Sequence, residues 1–283
     1  MSSTVSLSYS RSGQGPVLLM LHGAYTDSTI WKNQVRELGN HFTIICVDLR
    51  GHGQSPASDE STYTVGLFAN DVLALADQLS IDRFYICGLS LGAMVAQNIA
   101  HRWPQRIMGL ILVGTVASLR LGIVEKIVTT ILFPRWLAMR LFSSLSTRQF
   151  MRLSFMMTWF MRGTRWLGSS ETRKLIRDAM KRISRTELQK IYAAFHDFRL
   201  QNLENGSYPM LLINGQYDSP VILNHARYLR KKLKTRATQI VIANVGHACN
   251  VDAANEFNRI VIDWLHAKKT VHSNDQSPEK VVL

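Results

Sequence analysis

Short apolar runs alternate with helix-period segments along most of this chain. Six runs are rich in leucine and β-branched residues, which is typical of buried parallel strands; they span 17–21, 42–47, 84–87, 109–113, 210–213 and 238–242. Five segments have apolar residues at helical spacing, and they span 28–38, 64–79, 91–102, 221–233 and 255–267. The alternation predicts an α/β fold, in which a mostly parallel, doubly wound sheet carries helices on both faces.

One long segment interrupts this alternation between the fourth and fifth predicted strands. Residues 115–200 hold six of the eleven methionines and three of the six tryptophans, and their apolar residues recur at helical spacing. We predict that this segment is an inserted helical lid whose apolar side chains line a pocket. Residues 1–114 and 201–269 are then the two parts of one core, and residues 270–283 are a polar tail.

The positive charge is concentrated in this predicted lid. Residues 115–200 contain 16 lysines and arginines against 5 acidic residues, so they carry +11 of the net charge of +13. A solvated basic helix face explains this excess, and the alternative is transient contact with an anionic membrane surface or with acidic substrates. Nucleic-acid binding is not predicted, because no helix-turn-helix, zinc or RNA-binding pattern accompanies the charge.

The cysteines and the longest apolar stretch indicate where in the cell the protein is expected. The three cysteines lie in or beside apolar runs without metal-like spacing, so we expect reduced packing residues. The apolar stretch 121–139 contains Glu125, Lys126, Pro134 and Arg135, which argues against a membrane span, and the first residues lack a secretory pattern. A soluble cytoplasmic protein is predicted.

Without a metal cluster, phosphate loop or dinucleotide motif, no cofactor and no metal are expected.

The stretch from Gly88 to Gly92 joins a predicted strand to a predicted helix and has Ser90 at its centre. Such a tight turn pushes the central side chain out of the sheet, and a Cβ at either glycine would collide with the neighbouring helix or strand. Ser90 is therefore the predicted nucleophile. The alternative is a glycine-rich turn that happens to contain a serine.

A serine nucleophile needs an imidazole base and a carboxylate that orients the base. Asp218 follows the fifth predicted strand and His247 follows the sixth, and loops at the carboxyl ends of parallel strands meet at one edge of a sheet. We predict that both converge on Ser90. His52, which lies between two glycines, is predicted to be structural, and Asp252 is a second choice for the acid.

The developing oxyanion needs two fixed donors. The backbone N–H of Leu91 lies at the start of the helix after Ser90, where the helix dipole assists. The second donor is predicted to be the N–H of Ala24, in the HGAY turn after the first strand. Tyr25 and Leu89, which neighbour these donors, are the predicted substrate-binding residues.

Five motifs occur in an order that resembles one family: HGAY at 22–25, DLRGHGQS at 48–55, GLSLG at 88–92, GQYDSP at 215–220 and GH at 246–247. Together they resemble the α/β-hydrolase superfamily, in its serine esterase and lactonase branch. The resemblance covers residues 12–116 and 208–267, and the insert lies where this family places its cap. The family's triad also has the chain order Ser, Asp, His.

The resemblance implies acyl transfer, with carboxylic esters or lactones of small to medium apolar acids as substrates. Serine at position 90 argues against haloalkane dehalogenases and epoxide hydrolases, which carry aspartate there, and the single glycine after His22 argues against lipases with an HGGG-type hole. After His247 the chain reads ACNVDAANEF, where many relatives have an acidic residue followed by proline. Two alternatives stay open: carbon–carbon bond hydrolysis of diketone-type substrates, and a hydrolase-like small-molecule receptor.

Overall fold

The computed structural model describes residues 4–118, residues 165–274 and scattered positions between 121 and 163. Within these residues it contains one sheet of seven strands. They are β1 (Tyr9–Ser12), β2 (Val17–Leu21), β3 (Thr43–Val47), β4 (Phe84–Leu89), β5 (Ile107–Val113), β6 (Met210–Gly215) and β7 (Ala237–Ile242). Their order across the sheet is β1-β3-β2-β4-β5-β6-β7. The β1–β3 pair is antiparallel and the remaining described pairs are parallel, so the predicted fold class is confirmed.

Helices cover both faces of this sheet. They are α1 (Lys32–Leu38), α2 (Val65–Gln78), α3 (Leu91–Arg102), α4 (Ser170–Met180), α5 (Arg185–His196), α6 (Pro220–Leu233), α7 (Cys249–Asp252) and α8 (Ala254–Asn274). Buried side chains of α2, α3 and α6 pack in one core cluster, and those of α1 and α8 pack in a second cluster on the other face. None of the helices in the described part of the chain combines the length and apolar character of a membrane span.

The site is positioned by the change of direction in strand order. The chain passes from β2 to β3 on one side, whereas β4 pairs with the other side of β2. The loops after β2 and β4 therefore lie together at the topological switch point, where open α/β sheets bind ligands. Both strands of this pair are almost wholly buried, which fixes their register and the position of the two loops.

Hydroxyl side chains cap the first turns of α2 and α6. The Thr64 hydroxyl accepts the Leu67 N–H at 3.1 Å and begins α2, and Ser219 caps α6 directly before Pro220. The predicted segment 28–38 divides into a 3₁₀ turn, Ser28–Trp31, followed by α1. These two caps end the loops after β3 and β6.

Two features differ from the sequence analysis. Strand β1 was not predicted, because all four of its residues are exposed and its sequence YSRS has no apolar alternation. Helix α8 continues to Asn274, past the predicted start of the polar tail at residue 270, and no glycine or proline interrupts the chain before Pro278. Residues 275–283 and most of 119–164, including most of the predicted lid, lie outside the described residues.

A buried ion pair joins the loop after β3 to α2. The Arg50 guanidinium donates to both carboxylate oxygens of Asp71, at 2.8 and 2.7 Å, and neither side chain is exposed. Breaking such a pair from one side leaves a buried charge without its partner, which typically costs about 3–5 kcal/mol. The pair therefore fixes the backbone of residues 48–55, which the candidate site uses.

Candidate active site

Ser90 occupies a strained turn between β4 and α3. Its backbone has φ 53° and ψ −108°, a left-handed conformation, and its N–H donates to the Val113 carbonyl at 2.9 Å. A Cβ at Gly88 would lie 2.3 Å from the Gly92 backbone, and a Cβ at Gly92 would lie 2.2 Å from the Leu21 carbonyl oxygen. Both glycines are therefore required, and the turn presents a half-buried Ser90 at the end of the strand.

Asp218 and His247 form a hydrogen-bonded pair beside this turn. Their Nδ1 and Oδ1 atoms are 3.0 Å apart, the Asp218 side chain is fully buried, and the His247 side chain is 14% exposed. Because the carboxylate accepts at Nδ1, the imidazole carries its proton there and leaves Nε2 as the acceptor. This is the tautomer that a general base for a serine hydroxyl requires.

The Asp218 carboxylate receives several further donors. Its Oδ1 accepts the Ser219 N–H and the Trp166 indole N–H, each at 3.0 Å, and Asn214 donates to Oδ2 at 3.4 Å. Burial alone would raise the pKa of Asp218, but the adjacent imidazole and the donated hydrogen bonds outweigh burial and hold the pKa below its ordinary value. Asp218 is therefore ionised at neutral pH.

The end of β5 contacts both the Ser90 turn and the His247 ring. The Val113 carbonyl accepts the Ser90 N–H, and the next residue, Gly114, lies directly against the His247 ring. A Cβ at Gly114 would lie 2.5 Å from the His247 Cε1 atom, and its φ of 54° also favours glycine. Both predicted partners of Ser90 thus lie at the carboxyl edge of the sheet, as their positions after strands imply.

The turn after β2 packs against the Ser90 turn. A Cβ at Gly23 would lie 3.5 Å from the Ser90 Cβ, so the neighbouring Ala24 is close to the Ser90 turn. Among the hydrogen bonds of the described residues, neither the Ala24 N–H nor the Leu91 N–H has an acceptor. Their role as oxyanion donors stays a prediction. Leu89 is 3% exposed and packs in the core, so its contact with substrate also stays a prediction.

Two buried histidines hold the turn that contains Ala24. His22 Nε2 accepts the Leu49 N–H at 2.9 Å, and its Nδ1 lies 2.8 Å from the Gly23 carbonyl. His52 Nε2 accepts the Tyr25 N–H at 3.3 Å, and its Nδ1 lies 2.9 Å from the Arg50 carbonyl. Tyr25 has φ 61°, so this bond restrains a residue in the left-handed region. Sequence reasoning placed His52 in a structural role but missed its link to Tyr25.

We expect stability to fall with acidification in the range where His52 titrates. Burial lowers the pKa of His52 from 6.5 to about 3, so the folded state holds it neutral while the unfolded chain protonates it. A depressed pKa contributes stability that is present above 6.5 and is lost as the pH falls toward 3. His52→Gln should make the urea midpoint less dependent on pH across this range. An unchanged slope in the variant would contradict the assignment.

Asp252, the second choice for the acid, is engaged elsewhere. Its Oδ1 accepts the Ser169 N–H at 3.0 Å and the Thr172 hydroxyl at 2.6 Å, at the start of α4. No described hydrogen bond joins Asp252 to His247. Asp252 therefore anchors the segment that returns from the predicted lid, which leaves Asp218 as the partner of the imidazole.

Comparison with known proteins decides the family. Residues 16–254 match the family model described as alpha/beta hydrolase fold. The chain belongs to this family. A hydrolase from Pseudomonas aeruginosa PA01 has a similar structure, with a TM-score of 0.77, 26% sequence identity, and coverage of 92% of this chain and 94% of that one.

Two curated relatives match over shorter stretches. The 3-oxoadipate enol-lactonase 2 of Acinetobacter baylyi is 32% identical over 117 residues, which are 41% of this chain and 43% of that protein. The pimeloyl-[acyl-carrier protein] methyl ester esterase of Aeromonas salmonicida is 35% identical over 114 residues, 40% of this chain and 42% of that protein. The matched stretches thus span less than half of each of these relatives.

Proposed function

We propose that this α/β-hydrolase-fold protein is a serine hydrolase that cleaves carboxylic esters or lactones of small to medium apolar acids. The observation that carries this proposal is the Asp218–His247 pair, with a Nδ1–Oδ1 distance of 3.0 Å, beside Ser90 in its strained turn. A serine, a correctly oriented imidazole and a buried carboxylate are together the groups that nucleophilic acyl transfer needs.

In the proposed reaction, the Ser90 hydroxyl attacks the substrate carbonyl while His247 Nε2 takes the hydroxyl proton. The N–H groups of Ala24 and Leu91 stabilise the oxyanion, and the amino end of α3 adds its dipole. His247 then gives the proton to the leaving oxygen, and an acyl ester remains on Ser90. A water molecule, deprotonated by the same imidazole, hydrolyses this ester and restores the hydroxyl. The proposed chemistry needs no cofactor.

The substrate class is inferred from the relatives and from the residues above the site. One curated relative is named as an enol-lactonase and the other as a methyl ester esterase, so cyclic and acyclic esters both stand as substrates. Tyr192 of α5 lies close enough to Tyr25 to interact electrostatically, and burial raises the pKa of Tyr192 to about 12. Both phenols are therefore neutral at physiological pH. They would form an amphipathic wall for a medium-sized acyl group.

The proposal is tested with p-nitrophenyl esters of acyl chains from two to twelve carbons and with one aliphatic lactone. We expect an optimum in kcat/KM at short to medium acyl length, and loss of this turnover in Ser90→Ala. No turnover above the variant, from protein shown to be folded by circular dichroism, would contradict the proposal. Cleavage of a vinylogous diketone would then favour carbon–carbon hydrolysis, whereas tight binding without turnover would favour a receptor.

We also propose that the basic lid contacts an anionic membrane surface. Ile123, Ile127 and Ile131 recur at helical spacing and are 76%, 44% and 70% exposed, and Arg148 and Arg152 of the same segment are exposed as well. Exposed apolar side chains with cations nearby fit anionic headgroups.

The three cysteines are buried free thiols, and for that reason we propose that the protein is cytoplasmic.

Sedimentation with lipid vesicles tests this contact. We expect binding to phosphatidylglycerol vesicles, weaker binding to phosphatidylcholine vesicles, and release at high salt, because screening weakens the attraction to headgroups. Ile123→Ser combined with Ile131→Ser should reduce binding severalfold while the charge stays the same. Binding that is equal in wild type and variant would show that net charge alone drives adsorption and would contradict the proposed surface.

A further inference from the structure

One residue of the segment that returns from the lid makes three contacts with the Asp218–His247 pair. The Trp166 indole Nε1 donates to Asp218 Oδ1 at 3.0 Å, the same oxygen that His247 Nδ1 approaches. The indole also stacks on the imidazole, with ring centroids 4.8 Å apart and an interplanar angle of 19°. Finally, the Trp166 carbonyl accepts the His247 N–H at 3.2 Å. Both members of the pair are thus held by Trp166.

The surrounding contacts fix Trp166 in this position. A Cβ at Gly246 would lie 2.4 and 2.5 Å from the carbonyl oxygens of Arg165 and Trp166, so the backbones touch there. The Arg165 guanidinium lies 4.9 Å from the Tyr217 ring centroid. The next residues are held by Asp252, which accepts hydrogen bonds from Ser169 and Thr172 as described above. The segment is therefore seated on the loops after β6 and β7.

We propose that Trp166 is a positioning residue that tunes the proton affinity of His247, a role that rests on the proposed function. The indole N–H withdraws charge from the carboxylate oxygen that stabilises the imidazolium, so it favours the neutral base. The ring face acts in the opposite direction, because a π-face stabilises the imidazolium that forms during acylation. The two effects oppose each other at one side chain and can be separated by substitution.

The charged and titratable groups around the imidazole are few among the described residues. Asp218 faces its Nδ1, Asp252 and Arg165 belong to the segments that pack beside it, and burial raises the pKa of the neighbouring Cys249 thiol. The thiol is therefore neutral throughout the useful pH range. Among the described hydrogen bonds, the Asp218 carboxylate joins the indole to the imidazole, so a change at Trp166 reaches His247 through Asp218 and through the stack.

The pH profile of kcat/KM separates the two effects. Trp166→Phe keeps a ring and removes the N–H, so the acidic limb should move to higher pH by about half a unit to one unit. Trp166→Leu removes both the ring and the N–H, so its acidic limb should lie at lower pH than that of the Phe variant. Its kcat should also fall about tenfold, because the imidazole loses its stack. Trp103→Phe, at a tryptophan that stacks on Arg102, is the matched control and should leave the profile unchanged.

Two results would overturn the proposal. The first is a Trp166→Phe profile that superimposes on that of the wild type. The second is a uniform loss of rate with an unshifted profile and a lower thermal midpoint, which indicates a structural role alone. Titration of the His247 ring by NMR measures the same shift without turnover. If no Ser90-dependent hydrolysis exists, an unshifted His247 titration in Trp166→Phe still overturns the role of Trp166, and a shifted one upholds its coupling to the pair.

Discussion

Ser90→Ala is expected to lower kcat for ester hydrolysis by about 10⁵- to 10⁶-fold and to leave the fold intact. The variant removes the only atom that would form the acyl ester, while the alanine keeps the Cβ and so adds no strain at φ 53°. The Ser90 side chain makes no capping hydrogen bond to α3, and therefore its loss leaves no buried donor unpaired. Stability should change by less than about 0.5 kcal/mol.

Ser80→Ala is the matched control for this prediction. Ser80 is exposed, has φ 55°, and lies at the end of α2 away from the site, so the same chemical change is made at another serine with positive φ. Its turnover should equal that of the wild type. A phosphonate ester should label the wild type and Ser80→Ala at the peptide that contains Ser90, as read by mass spectrometry. Turnover or labelling that survives in Ser90→Ala would exclude this serine as the nucleophile.

The regular part of the fold follows from the hydrophobic pattern. Six apolar runs predict β2 to β7 to within two residues at each end, because strands buried on both faces need continuous apolar side chains. Helices α2, α3 and α6 follow from their apolar spacing, and α2 and α6 also follow from their capping residues Thr64 and Ser219. An edge strand such as β1 needs neither signal, since its pairing with β3 uses backbone groups alone.

The candidate site is predictable to the extent that topology places it. Ser90, Asp218 and His247 each follow a strand, and the parallel sheet brings the ends of those strands to one edge. Trp166 has no such signal. It lies 52 residues before Asp218 in the sequence. Its indole contacts the carboxylate because the segment that returns from the predicted lid packs on Gly246. Packing of that kind depends on tertiary contacts that no local pattern encodes.

The histidine contacts lie between these two cases. His22 and His52 belong to the motifs HGAY and DLRGHGQS, and the flanking glycines of His52 predict a structural role for it. Their bonds to Leu49 and Tyr25 join loops after two different strands, however, and arise only when β2 and β3 pair in register. The rings then form a T-shaped pair with centroids 4.8 Å apart, beside the turn that contains Ala24.

Asp218→Asn is expected to lower kcat by about 10³-fold, less than loss of the nucleophile. The Oδ1 position receives donors from His247, Trp166 and Ser219, so the amide oxygen should occupy it and the amide NH₂ should face Asn214. The Asn214 Oδ1 is buried without a hydrogen-bond partner among the described residues, and it can accept this NH₂ once the Asn214 amide, which now donates from Nδ2, turns over. His247 then keeps its tautomer, and the lost rate reflects the missing charge opposite the imidazolium.

Asp252→Asn separates this effect from damage to the lid junction. An amide oxygen at position 252 can still accept from Ser169 and Thr172, so this variant should retain nearly full kcat. In Asp218→Asn the acidic limb of the kcat/KM profile should also move to lower pH, because a neutral partner stabilises the imidazolium less than a carboxylate does. A harmless Asp218→Asn beside a crippling Asp252→Asn would reverse the assignment of the acid. Equal losses in both variants would instead mean that the returning segment, and not the charge at position 218, limits the reaction.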